Sequence, residues 1–505
     1  MRDVSGTSAR ASCWRSTRRA CATAGVGRAG LGRPDWAPLV VLATGQFLVV
    51  LTTSIVNVAL PTVSDGLRLS EQGQAWIVNA YGLAFGALLL VGGRAADLLG
   101  RRTVLLAGLG LFAAGSVLAG SAPTAWLLIA ARALQGVGAA ALAPAALALV
   151  MVLYPAGAAR GRALAVWGAV SAVGGAAGVL LGGLLTEALG WRSVFWAPVP
   201  VTVLVVLGCL RYVDRDVPRQ AGGGADFLGT AAVTAGLVAL VLGVSGAGRT
   251  GWLSEAVLAP VGAAVVLLGV FLVVERRTAR PLLPLRLFGT GTVGPANLAM
   301  ALLGAVWVAM FFFLPLYQQR VLGYDPLLTG LAQLPLAGAN ALASWATPHL
   351  AVRFGARRTQ TAGALLLAAG LLWFGRVPTD GSFAADMLGP SLLAGAGLGI
   401  AFVRLTAQAV EGVAPADAGI AGGLVNTTRQ LGGVVGLAFL STLATARTDT
   451  APTDLTNIQA LNEGYRLAFT AGGVLTLLNA LLIATALRRS AARRDSLVTT
   501  GDHRS

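Results

Sequence analysis

Arg132 and Gln135 sit one helical turn apart inside an apolar run, residues 125–151, and Arg429 lies in the Asn426-Thr-Thr-Arg429-Gln430 tract of another. An arginine near mid-bilayer costs about 2.5–3.5 kcal/mol on insertion scales, so each must face a wet cavity or a hydrogen-bonding partner. The first reading makes Arg132 a recognition or coupling group; the other makes it a pin bonded to neighbouring carbonyls. Glu187, Glu275, Asp386 and Glu411 all fall near the ends of apolar runs, and no carboxylate falls near the middle of one. A lipophilic cation would meet no central counter-charge, whereas an anionic, zwitterionic or neutral polyfunctional compound would meet two donors. This is chemistry of recognition and carriage. The chain offers no nucleophile–base pair, phosphate-binding loop or metal cluster, and only His349 and His503 as histidines, so neither an enzyme nor a cofactor is expected.

A second charged group sits between two apolar runs, in Gly93-Arg-Ala-Ala-Asp97-Leu-Leu-Gly100-Arg101-Arg102. The arginines suit lipid phosphates at a membrane edge, and Asp97 can pair with a nearby arginine or a helix N-terminus as a latch. A plain orientation signal is the simpler alternative.

These groups must be positioned by a membrane-embedded scaffold. The 505 residues are 56% hydrophobic and 11% charged, with a mean hydropathy of +0.74, which a soluble domain could not bury. The net charge of +16 lies in short gaps and in the tails, so it reads as topology signal, not as a nucleic-acid surface. All the basic residues are arginine, and the composition is that of a high-GC bacterial genome. Cys13, Cys21 and Cys209 imply no disulfide framework.

Apolar runs of about 20 residues, the length that crosses a bilayer, recur at 37–58, 73–95, 103–121, 125–151, 162–186, 193–212, 227–247, 256–275, 292–318, 328–350, 360–376, 386–410, 419–443 and 466–487. The expected fold is therefore an all-α integral membrane protein with 14 transmembrane helices. Arginines concentrate in alternate gaps (94–102, 160–162, 211–219, 276–286, 353–358), which puts both tails on the cytoplasmic side. Residues 351–358 echo the first hairpin at Ala96/Ala351, Gly100/Gly355 and Arg102/Arg357, with Val352 in place of Asp97. The echo divides the chain into a disordered tail (1–36), a six-helix bundle (37–215), two additional helices (226–275), a second six-helix bundle (290–487) and a cytosolic tail (488–505).

The hairpin resembles the loop motif between spans two and three of the major facilitator superfamily. Arg132-Ala-Leu-Gln135-Gly136-Val-Gly138-Ala139-Ala140 resembles its fourth-span motif, in which the arginine is implicated in proton or substrate coupling. Leu51-Thr52-Thr-Ser-Ile-Val-Asn57-Val-Ala-Leu-Pro61 and Trp76-Ile-Val-Asn79-Ala-Tyr81 are similar to the fourteen-span drug:proton antiporter branch. Two departures stand out. Thr52 occupies the usual aspartate position of the first span, and in Gly178-Val179-Leu-Leu-Gly182-Gly183 valine replaces the proline of the fifth-span antiporter motif.

The resemblance implies a monomeric exporter of a drug or antibiotic-like compound in the bacterial cytoplasmic membrane, driven by the proton gradient through two rocking bundles. Proton coupling would fall to Asp97, Glu187 or the cargo itself. Thr52, Asn57, Arg132, Gln135, Asn426 and Arg429 are the expected central residues, and Gly178, Gly182 and Gly183 the helix-sliding face. Trp76, Tyr81, Trp307, Tyr317 and Asn340 are candidates to line the cargo site, although any single aromatic serves packing more often. Thr52 and Val179 leave an uptake symporter or uncoupled facilitator as the alternative, and a non-transporting membrane sensor as a third class.

Overall fold

A computed structural model describes residues 36–154, 157–214, 227–278, 286, 293–411, 413, 418–452 and 455–501. The expected N-terminal tail before Trp36 and residues Cys13, Cys21 and His503 lie outside the described residues. The helices are α1 (Ala37–Leu67), α2 (Glu71–Leu99), α3 (Arg101–Gly120), α4 (Ala125–Leu153), α5 (Ala158–Leu189), α6 (Pro198–Tyr212), α7 (Phe227–Thr250) and α8 (Glu255–Arg277). They continue as α9 (Val293–Leu316), α10 (Leu334–Phe354), α11 (Ala356–Phe374), α12 (Leu388–Ala409), α13 (Ala418–Asp449) and α14 (Asn457–Gly501). Helix α14 carries on to Gly501, through part of the stretch expected as a tail. Short helices Ser193–Trp196 and Pro326–Ala332 lead into α6 and α10, and π-helical turns Tyr317–Val321 and Phe383–Met387 follow α9 and precede α12.

Among the described residues no strand occurs, and twelve helices are long and apolar enough to cross a membrane. The remaining two of the fourteen expected runs do fold as helices, α10 and α11, but are more polar. Asn340, Ser344 and His349 interrupt α10, while α11 opens on Arg357, Arg358, Thr359 and Gln360.

Local chemistry fixes several helix ends. The hydroxyls of Ser70 and Thr124 accept the amides of Gly73 and Leu127, and the Asp325 carboxylate accepts the Leu328 amide at 2.6 Å ahead of Pro326. Between α2 and α3 the chain reverses on one residue, Gly100, at φ 93° and ψ 134°. Gly355 reverses α10 into α11 at φ 87° and ψ 144°. Both lie where a β-carbon is strained, so the echo between 96–102 and 351–357 is a shared backbone conformation.

The echo extends to packing. In the first half α4 packs on α2 and α3, and α3 on α6; in the second, α12 packs on α10 and α11, and α11 on α14. Arg102 Nη2 donates to the Leu210 carbonyl of α6 at 3.1 Å, and Arg357 Nη2 to the Ala484 carbonyl of α14 at 3.5 Å. Each arginine thus ties the third helix of its half to the sixth. The halves meet where α2 packs on α13, and the α7–α8 hairpin covers that seam, with the Thr442 hydroxyl of α13 donating to the Val244 carbonyl at 3.1 Å.

Candidate functional site

Arg132 is 1% exposed, so burial has to be met by partners. Its Nε donates to the Ile77 carbonyl at 3.2 Å and its Nη1 to Gln135 Oε1 at 2.8 Å. Gln135 Nε2 donates to Ser116 Oγ at 2.7 Å, and Ser116 Oγ to the Phe112 carbonyl at 2.8 Å. The guanidinium lies 4.5 Å from the centroid of the Tyr81 ring, whose hydroxyl reaches the Val49 carbonyl at 3.4 Å. Four helices of the first half are therefore joined through one arginine. A desolvated cation over an aromatic face is worth about 2 kcal/mol, comparable to the insertion cost it offsets.

The second half repeats the device. Arg429 Nη2 donates to Asn426 Oδ1 at 2.8 Å, its guanidinium lies 5.3 Å from the Trp307 centroid, and Trp307 stands edge-on to Phe402 at 5.4 Å. Arg132 and Arg429 belong to different halves, and α2, which carries Tyr81, packs on α13, which carries Arg429. Sequence spacing locates both arginines; Tyr81 and Trp307 stand there as pocket candidates, and their stacking on the arginines is a contact the structure adds. Their signal was an aromatic residue in the span packed against each arginine-bearing helix.

Thr52 and Asn57 are buried on α1, but neither Thr52 Oγ1 nor Asn57 Oδ1 meets a hydrogen-bond partner, and no bond joins them to the arginine network. Asn79, on α2 two residues before Tyr81, is 1% exposed with both amide atoms likewise unpartnered. Among the described residues the one buried carboxylate is Glu275, at the end of α8. The remaining pocket candidates lie elsewhere. Trp76 joins an apolar cluster with α7 and α13, Asn340 sits at the α10–α12 contact, and the Tyr317 hydroxyl is committed to the Pro378 carbonyl at 2.7 Å.

The glycine face of α5 bridges both halves. A β-carbon at Gly178 would lie 2.9 Å from the Leu51 carbonyl, at Gly182 2.7 Å from the Ile55 carbonyl, and at Gly183 2.4 Å from the Pro326 carbonyl. Gly183 therefore permits backbone contact between α5 and the short helix before α10. Gly183→Val is expected to hold this end apart and remove most transport while the protein still inserts; measurement of efflux at matched membrane levels checks this, and wild-type efflux would free the contact from the mechanism.

At the same end a clasp joins the halves. Gln319 Nε2 donates to the Val58 carbonyl at 2.8 Å, while Arg320 Nη2 donates to the Pro61 carbonyl at 3.1 Å and to the Asp65 carboxylate. The opposite end, which carries Gly100, is different. A β-carbon at Gly161 or Gly168 on α5 would meet nothing within 4 Å. Asp97, in the last turn of α2, faces Arg101 of the same hairpin at 3.8 Å and is 47% exposed, a pair of the kind worth a few tenths of a kcal/mol. Gly93 lies at ordinary distance from Pro144, and the close approach of α2 to α4 falls on its neighbour Gly92, where a β-carbon would lie 2.0 Å from the Ala140 carbonyl.

Two pseudo-equivalent halves, clasped at one end and parted at the other, match the sequence profile of the Major Facilitator Superfamily over residues 42–437. The chain belongs to that superfamily. It is 42% identical over 380 residues to the cephamycin export protein CmcT of Amycolatopsis lactamdurans, covering 74% of this chain and 78% of that one. It is 40% identical over 387 residues to the puromycin resistance protein pur8 of Streptomyces alboniger, covering 75% and 76%. Among solved structures of the same fold, a peptide transporter POT in complex with sulfate aligns with a TM-score of 0.66 at 16% identity, over 92% of this chain and 96% of that one. This superfamily member is a multi-pass membrane protein, and its curated relatives include bacterial export and resistance proteins.

Proposed function

We propose that this protein is a secondary exporter of a drug or antibiotic-like natural product, working by alternating access in a bacterial cytoplasmic membrane. It would span the bilayer fourteen times, as bundles 37–215 and 290–487 with the pair 226–275 between them, and keep both tails cytoplasmic, because arginines cluster at the Gly100 end. In that orientation the clasp at Asp65 closes the outside while the inside stands open for loading.

The observation that carries this reading is the pair of buried arginine–aromatic stacks, one in each half, in a chain 42% and 40% identical to export and resistance proteins. Two fixed cations with no carboxylate among their contacts favour neutral, zwitterionic or anionic cargo over lipophilic cations. Energy comes from the proton gradient, with the coupled proton carried by the Asp97 hairpin, by Glu187 or by the cargo. Thr52, at the usual aspartate position, supports the alternative of a proton-coupled uptake symporter or uncoupled facilitator.

An efflux panel of anionic, neutral and cationic antibiotics in a pump-deficient host tests both readings. Expression should lower internal levels of the first two classes, and a protonophore should erase that effect. Higher internal levels on expression would establish uptake, and efflux confined to cations would overturn the role given to the arginines.

A further inference from the structure

On the Gly100 side of the seam an apolar cavity of about 360 Å³ opens between the halves and the inserted hairpin. Ala87, Leu90 and Val91 of α2 form one wall, Leu424, Leu431 and Val435 of α13 the facing one, with Ala301 of α9, Val233 of α7 and Phe271 of α8 closing it. No charged or amide side chain lines it. Of its two threonines, Thr428 Oγ1 lies 2.9 Å from Asn297 Oδ1 and 2.6 Å from the Leu424 carbonyl, its one proton committed to these two acceptors, and only the Thr427 hydroxyl is uncommitted. Water gains too few hydrogen bonds from such a wall, and apolar cavities less than half this size stay dry and take up hydrocarbon.

We propose that the cavity is a seat for the acyl chain of a bilayer lipid. A polyfunctional cargo would forfeit its hydrogen bonds there, whereas an alkyl chain has none to lose. The supply of chains is adjacent. Helix α8 has only 17% of its apolar window buried, and Val265, Val266, Leu272 and Val273 on it are exposed, so hydrocarbon bathes the hairpin that forms the outer wall. In the orientation proposed above, the seat lies at the depth of the cytoplasmic leaflet. A lodged chain would touch α2 of one half and α9 and α13 of the other, and so brace this conformation; that consequence rests on the alternating-access reading, while the seat itself does not.

The test uses the purified full chain in nanodiscs containing a phosphatidylglycerol with a diazirine in its acyl chain, followed by residue-level mass spectrometry. Adducts are expected on Leu424 and Val91, on inner helices, as well as on Leu207 of α6, which is exposed at 56%. Ala87→Phe, which fills the cavity from one half, should lower the Leu424 and Val91 adducts about tenfold and leave Leu207 unchanged. Ala301→Leu fills it from the other half and should do the same, so the result does not hang on one variant folding. Absence of adducts at Leu424 and Val91, or equal labelling in both filled variants, would overturn the proposal. Displacement by exported antibiotic but not by unlabelled lipid would assign the cavity to cargo and overturn it equally. Because the readout is labelling, a failed seat leaves the exporter reading standing, and a failed efflux panel leaves the seat standing.

Discussion

Arg132→Ala is expected to lower export of an accepted antibiotic roughly hundredfold at matched membrane levels. The substitution removes the donors to Ile77 and Gln135 and the cation over Tyr81. Hydrogen bonds from a charged donor contribute about 1.5–3 kcal/mol, and each 1.4 kcal/mol added to the transport barrier slows the step about tenfold. Arg132→Lys should recover little, because a single ammonium cannot address the carbonyl, the amide and the ring face together. The structural-pin alternative makes a different forecast. If the arginine only joins helices, Arg132→Ala lowers the melting temperature yet keeps cargo affinity in the purified protein; if it recognises cargo, affinity falls even at temperatures where the variant is fully folded. Unchanged efflux at matched levels would remove Arg132 from the mechanism altogether.

Arg320→Ala should open the Asp65 end. The clasp comprises two hydrogen bonds from Arg320 and one from Gln319, all crossing between halves. Losing the Arg320 share, about 2 kcal/mol for one charge-assisted bond and a half-exposed ion pair, shifts a two-state equilibrium roughly thirtyfold. Gln333, 0% exposed on the same end of α10, is a position at which to read the shift. With a cysteine introduced there and the native cysteines replaced, an impermeant maleimide applied from outside should label the Arg320→Ala protein about thirty times faster. Asp65→Asn should give a smaller change, because the Pro61 and Val58 carbonyls still accept. Equal labelling rates would show that the closed end is held by packing alone.

The sequence made the helices and the internal echo legible for a physical reason. Long apolar runs and isolated charges are local signals, and Gly100 and Gly355 carry a backbone requirement readable from residue type. The deep arginines were legible because no other cation sits so far inside a span. Their partners were not, since stacking on Tyr81 or Trp307 depends on which helices touch. The latch shows the limit most clearly. Asp97 does pair with a nearby arginine, Arg101 of its own hairpin, but the bridge between the halves that the sequence does not announce lies at the other end, built from Asp65 and Arg320, far apart in the chain. Neither residue stands out in its own segment; only the tertiary meeting of α1 with the turn after α9 gives them a joint role. Helices α10 and α11 show the converse, since polar residues dilute a span's signal whether they are buried, as Thr359 and Gln360 are, or exposed, as His349 and Arg357 are.

The clasp also bears on how such a protein can change without breaking. Two of the acceptors on α1 are main-chain carbonyls, those of Val58 and Pro61, and every residue type presents the same oxygen. Side chains along that stretch of the first span can therefore vary, and a drift in drug preference can accumulate there, with the outer seal left nearly as tight as before.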